Sequence, residues 1–132
     1  MYSTFTPLHR GGHGTPLVCV HGFTDTWRTW ELVLPVLERH HDVLAPILLG
    51  HAGAPPITSE VSAALDAERI TCPVRILWGA EDKLLPWPSA AARFRDGWLP
   101  QADWVVLDDV GHCPQLDVPL ETAHLVVEFT AR

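Results

Sequence analysis

The run Leu17-Val18-Cys19-Val20-His21-Gly22-Phe23 decides how this chain folds. Its first four residues are continuously apolar, as in a strand covered on both faces. The His-Gly pair then interrupts the run where the chain must turn. Glycine lets the backbone turn sharply and leaves the amide of the next residue, Phe23, free to meet an oxyanion.

Two later stretches end a strand in the same manner. One is Ile76-Leu77-Trp78-Gly79-Ala80-Glu81-Asp82, and the other is Asp108-Asp109-Val110-Gly111-His112-Cys113-Pro114, which follows the apolar run Trp104–Leu107. Asp82 and His112 therefore both fall just past the C-terminal ends of strands. In an open parallel sheet that edge is where ligand sites form. An aspartate bonded to one imidazole nitrogen fixes the tautomer, so the other nitrogen can take a proton near neutral pH. On spacing alone, Asp82 is equally an ordinary turn residue in the polar run Glu81-Asp82-Lys83, and His112 an ordinary loop histidine.

The rest of the chain alternates strands with helices. Residues 3–9 read as a short strand before the turn Gly11-Gly12-His13-Gly14. Trp27 to Arg39 carries apolar residues at 27, 30, 33, 34 and 37, a helical stripe that Asp25 can cap and Pro35 should break. Asp42–Leu49 is a second strand, with Pro46 limiting its pairing. Gly50-His51-Ala52-Gly53-Ala54-Pro55-Pro56 is a loop by composition. Ser59 to Arg69 fits a short helix with Ser59 as its N-cap. Val74–Trp78 and Trp104–Leu107 are further strands, and Pro88–Gly97 and Pro119–Thr130 are helices. This alternation predicts an α/β fold: a small three-layer sandwich around a mostly parallel sheet of four or five strands. Residues 1–132 are expected to make one minimal domain with a seam near 50–58.

Composition narrows the function classes. The net charge of −7, with no basic run, argues against nucleic acid as a partner. The apolar runs are too short to span a bilayer, so no membrane is expected. The start Met1-Tyr2-Ser3-Thr4-Phe5-Thr6 lacks the basic and apolar regions of a signal peptide. Cys19, Cys72 and Cys113 are odd in number and widely spaced, which suggests reduced thiols in a cytoplasmic setting. The eight histidines show no zinc spacing, and neither a metal nor another cofactor is expected.

Taken together, the motifs resemble those of the α/β-hydrolase fold family. His21-Gly22-Phe23 is similar to the family's oxyanion motif, and Leu49-Gly50-His51-Ala52-Gly53 resembles the Gly-His-Gly loop after its next strand. Trp78-Gly79 with Asp82 resembles the acid turn, and Gly111-His112 the histidine turn. The resemblance implies His112 as catalytic base, Asp82 as its orienting acid, and His21, Gly22 and Phe23 at the oxyanion site. Trp87, between Pro86 and Pro88, is the expected pocket wall.

The resemblance stops at the nucleophile. The Gly-x-Ser-x-Gly turn is absent, and only about twenty residues stand where the family carries its strand–elbow–helix unit, the next strand and the cap. Ser59 is the candidate serine, although a helix cap is its ordinary job. Ser62 fits a solvated helix face and Ser89 a first helical turn. A water activated by His112 needs no serine. With the intervening strands gone, the oxyanion strand and the acid strand are expected to pair directly. The lost elements should leave apolar surface that a homodimer would cover. The reading is a weak hydrolase of small esters; the alternative is an inactive remnant, engineered minimal scaffold or binding module of the same fold.

Overall fold

A computed structural model describes residues 8–51, 54 and 69–132. The chain divides into two compact units, Met1–Val61 with Pro119–Arg132, and Ser62–Val118.

The first unit is built on a three-stranded sheet in the order β1-β3-β2. Strands β1 (Leu8–Gly12), β2 (Thr15–Val18) and β3 (His41–Pro46) come from the chain's first third. β2 runs parallel to β3 and β1 antiparallel to it. β3 alternates buried and half-buried residues, so His41, Val43 and Ala45 face the core. The predicted helix over 27–39 is split. A 3₁₀ turn, Trp27–Trp30, precedes α1 (Leu34–Leu37), and Pro35 sits in the first turn of α1 where its missing N–H does no harm. Thr26, rather than Asp25, caps the first turn by accepting from the Arg28 N–H at 3.3 Å. Asp25 instead accepts from the Thr26 N–H at 2.8 Å.

The core of this unit joins Cys19, Val33, Leu34, Leu37, Val43, Ala45 and Ile47 to Ala123 of the closing helix. Burying its Val, Leu and Ile side chains stabilises each by about 1.5–3 kcal/mol.

The second unit holds two parallel strands, β4 (Arg75–Gly79) and β5 (Asp103–Leu107). Arg75 lies directly opposite Asp103 in the register, and its Nε and Nη2 both donate to Asp103 Oδ2, at 2.8 and 2.7 Å. The guanidinium is nearly enclosed, at 7% exposure. Helix α2 (Ser89–Ala92) runs on into a π-helical turn, Arg93–Trp98, over the segment predicted as one helix. Aromatic rings knit this unit: Trp78, Trp87, Trp104, Phe94 and Trp98 pair at centroid separations of 5.6–6.4 Å. Helix α3 (Pro114–Asp117) follows the histidine turn and had no sequence signal beyond its opening proline. Helix α4 (Pro119–Thr130) matches its predicted span residue for residue, and it belongs to the first unit.

The α/β class and the five strands agree with expectation. Among the described residues the hydrogen-bonded ladders form one three-stranded sheet in the first unit and one two-stranded sheet in the second. The predicted helix at 59–69 lies outside the described residues except for Arg69.

Candidate active site

The acid turn is made by the backbone before any side chain acts. Past β4, the Ala80 N–H donates to the Leu107 carbonyl at 2.9 Å, the Glu81 N–H to Val110 at 2.9 Å and the Asp82 N–H to Gly79 at 3.2 Å. The first two bonds lock the acid turn against the end of β5 and the histidine turn, and the third closes the acid turn on itself. Contact is so close that a Cβ on Gly79 would stand 2.0 Å from the Gly111 carbonyl oxygen. Asp109 takes a left-handed φ of 59°, a conformation aspartate tolerates better than most residues. The Gly111 N–H donates to Asp117 Oδ2 of α3 at 2.8 Å.

These turns bring Asp82 and His112 together. His112 Nδ1 and Asp82 Oδ2 are 2.8 Å apart. The Asp82 side chain is 6% exposed and that of His112 is 44% exposed. Asp82 Oδ1 also accepts from the backbone N–H groups of Leu84 and Leu85, each at 2.8 Å. Burial pushes the Asp82 carboxyl up, but the donors Leu85, His112 and Leu84 outweigh it and hold the group below its ordinary value. An ionised Asp82 can only accept, so Nδ1 of a bonded neutral His112 carries the ring's proton and Nε2 is left as the basic nitrogen.

Beside the pair lies a pocket of about 170 Å³ lined by Leu77, Trp78, Gly79, Asp82, Leu85 and His112. Trp78 is its aromatic wall. Trp87, the expected wall, packs against Trp78 at 6.4 Å and carries the Arg95 guanidinium over its ring at 5.5 Å. The Trp78 Nε1–H donates to the Leu85 carbonyl at 3.2 Å. It thereby steadies the residue whose own N–H holds Asp82. Leu84 and Leu85 were missed, because backbone donors leave no signature in side-chain type.

In the first unit, the His-Gly-Phe turn is held by its histidine. The Leu48 N–H donates to His21 Nε2 at 3.0 Å, so the ring proton sits on Nδ1, which donates to the Gly22 carbonyl at 2.8 Å. His21 is 4% exposed with both nitrogens used by backbone, so it supports the turn. The Asp25 N–H closes that turn onto the Gly22 carbonyl at 3.3 Å, with Thr24 in the left-handed region at φ 63°. A β-branched residue there is strained by about 1–2 kcal/mol. The Phe23 side chain is 90% exposed, and its N–H has no hydrogen-bond acceptor among the described residues. His51 of the following loop sets its ring against His21 at 4.7 Å and Phe23 at 6.4 Å.

Ser59 and Ser62 lie outside the described residues. Ser89 Oγ is turned to its own helix start and donates to the Pro86 carbonyl at 3.2 Å. Cys113 precedes α3 and is half-buried. Among the described residues no cluster of metal-ligating side chains occurs, and no helix is long and apolar enough to cross a membrane.

Comparison with known proteins bears on this geometry. No family model matches the chain. It is 35% identical over 75 residues to the 2-hydroxy-6-oxo-2,4-heptadienoate hydrolase of Pseudomonas putida, covering 47% of this chain and 27% of that protein. It is 42% identical over 48 residues to the 2-hydroxymuconate semialdehyde hydrolase of Pseudomonas sp. strain CF600, covering 34% of this chain and 17% of that protein. The chain thus spans about a quarter or less of the length of these curated relatives. Among solved structures, it is similar to a serine hydrolase involved in carbazole degradation, CarC, with a TM-score of 0.73 at 13% identity. It is also similar to a variant of the meta-cleavage product hydrolase CumD, with a TM-score of 0.77 at 12% identity. Each likeness covers 94% of this chain and 93% of the other. The motifs, the acid and histidine turns and these neighbours agree: the fold is that of the α/β-hydrolases, in a reduced form without the Gly-x-Ser-x-Gly elbow.

Proposed function

We propose that this chain is a weak hydrolase of small activated esters, with His112 as general base and Asp82 as the acid that orients it. The single observation that carries this reading is the 2.8 Å bond from His112 Nδ1 to a buried Asp82, beside a small pocket. Water is the nucleophile in the simplest form. His112 Nε2 takes its proton as the oxygen adds to the ester carbonyl, and returns that proton to the departing alkoxide when the tetrahedral intermediate collapses. Asp82 stays ionised and holds the ring in register. General base catalysis of this kind contributes about 10²–10⁴-fold, so turnover is slow.

Ser59 is the alternative nucleophile, forming an acyl intermediate that water then releases. The family resemblance gives the Phe23 N–H the oxyanion role, with His21 and Gly22 shaping its turn and Trp87 backing the pocket wall. A single amide donor makes a weaker oxyanion site than the usual two. The proposal includes a homodimer and a cytoplasmic setting, with no metal, cofactor, nucleic acid or membrane taking part. It treats residues 1–132 as one minimal functional domain with its seam at 50–58.

The test is hydrolysis of a short-chain p-nitrophenyl ester by purified protein, with Asp82→Ala, His112→Ala and Ser59→Ala run in parallel. A second substrate arm uses 2-hydroxy-6-oxo-2,4-heptadienoate, after the name of the Pseudomonas putida relative. Activity lost in the Asp82 and His112 variants supports the dyad. Loss in the Ser59 variant separates a serine from water. Activity unchanged by His112→Ala sinks the mechanism. The missing elbow favours a second reading, a remnant or scaffold that keeps the turns without the chemistry; it predicts no rate above a denatured control and no fluorophosphonate labelling.

A further inference from the structure

The two members of the pair are held very differently. Asp82 is buried and accepts from two backbone amides besides His112. The His112 ring is 44% exposed, so packing leaves it room to turn. Its direction then depends on the backbone that carries it.

That backbone is tied to one residue, Asp117, on both sides of the histidine. The Gly111 N–H, just before His112, donates to Asp117 Oδ2 at 2.8 Å. The Cys113 carbonyl, just after it, accepts from the Asp117 N–H at 3.0 Å and from the Leu116 N–H at 2.9 Å. The Val118 N–H adds a bond to the Pro114 carbonyl at 2.9 Å. Pro114 sets the φ of the first turn of α3, and this single turn brings residue 117 back to the loop it has just left. Gly111 is therefore fixed twice. Asp117 holds its N–H, and the close approach of Gly79 confines its carbonyl oxygen.

We infer, on the Asp82–His112 reading of the site, that Asp117 is a positioning residue for His112. It pins the two neighbours of the histidine, which keeps Nδ1 on Asp82 and leaves Nε2 as the base. Asp117 acts through the backbone and not on the substrate. It needs only an acceptor oxygen for this, so an amide oxygen in the same place serves as well as a carboxylate. Its side-chain bond is exposed, so removing it should affect the alignment of the ring more than the stability of the fold.

The test compares Asp117→Ala, which removes the acceptor, with Asp117→Asn, which keeps an oxygen and drops the charge. Ring ¹⁵N NMR at about pH 8, where an ordinary imidazole is neutral, reads the His112 tautomer with no substrate present. The parent should carry the proton on Nδ1, Asp117→Ala should show a mixture of both tautomers, and Asp117→Asn should match the parent. In the p-nitrophenyl ester assay, Asp117→Ala should lower kcat about three- to tenfold with KM unchanged, and Asp117→Asn should restore most of it. A parental tautomer in Asp117→Ala overturns the inference, as does an Asp117→Asn variant as impaired as Asp117→Ala. Where Asp117→Ala melts too early to assay, Pro114→Gly loosens α3 with Asp117 in place and should give the same mixture; an unchanged tautomer there also overturns it. A parent without the Nδ1–H tautomer, or one whose hydrolysis survives His112→Ala, overturns the underlying reading of the site, so the two failures are told apart. The tautomer decides the role of Asp117 in an inactive chain as well.

Discussion

Gly79 and Gly111 touch through their backbones, so that no side chain can stand between the turn that carries Asp82 and the turn that carries His112. A methyl on Gly79 would lie 2.0 Å from the Gly111 oxygen and 2.3 Å from that of Val110. Neither atom is the end of a flexible side chain, so the turns themselves must part. Gly79→Ala should destabilise the protein by about 1–3 kcal/mol or more. It should also remove hydrolysis, because the 2.8 Å bond from His112 to Asp82 depends on that contact. Thermal melts and ester assays on the variant check both; a variant with unchanged stability and rate would show that the turns do not need the contact.

Asp82 predicts an acid limb in stability. Its carboxyl is held below the ordinary value, so the unfolded chain takes up the proton more readily than the folded one. Its contribution is complete above about pH 4, the ordinary aspartate range, and is lost as pH falls through the lower folded value. Asp82→Asn should flatten that part of the profile in urea melts taken from pH 6 to pH 2.

Cys19 predicts the opposite limb. Burial pushes its thiol from 9.0 up to about 11. The unfolded chain therefore ionises first, and stability present below pH 9 declines as pH rises toward 11, by about 2–3 kcal/mol at one pH unit per 1.36 kcal/mol. Cys19→Ala should be less stable at neutral pH and less sensitive to alkali. A parallel decline in both proteins would assign the alkaline limb to another group.

His21 ties the oxyanion turn to the strand beside it. His21→Phe keeps a ring in the core but strands the Leu48 N–H that donates to Nε2 at 3.0 Å. The expected loss is about 1–3 kcal/mol, the penalty of a buried unpaired group. Amide exchange at Leu48, followed by NMR, should quicken in the variant before exchange at Val43 does.

The position of β2 at the end of its three-stranded sheet predicts self-association. Val18 is 58% exposed on a strand that pairs on one side only among the described residues. Light scattering should find the homodimer proposed above, and Val18→Lys should return the monomer, because lysine on an edge strand resists pairing. A parent protein that scatters as a monomer at all concentrations would remove the dimer from the reading.

Much of the site was legible because its residues are punctuation. Glycine at 79 and 111, with Asp82 and His112 after two apolar runs, announces turns at strand ends, and the structure brings that pair to hydrogen-bond distance. Pro35 announced the break that splits the helix over 27–39. What stayed hidden was what the main chain does without side-chain help: the amides of Leu84 and Leu85 on Asp82. Trp78 was legible as part of the acid-turn motif, but its indole N–H is informative only once its acceptor, the Leu85 carbonyl, is known.

The ion pair at the far end of β4 and β5 sets the gauge for the chemistry at the near end. Arg75 and Asp103 are locked opposite one another, and counting four residues along each strand from that lock arrives at Gly79 and Leu107, after which the acid and the histidine are dealt out. A slip of one residue displaces one strand by about 3.3 Å, more than a hydrogen bond can absorb. Arg75 thus acts as the zero mark of a ruler whose reading is taken at His112.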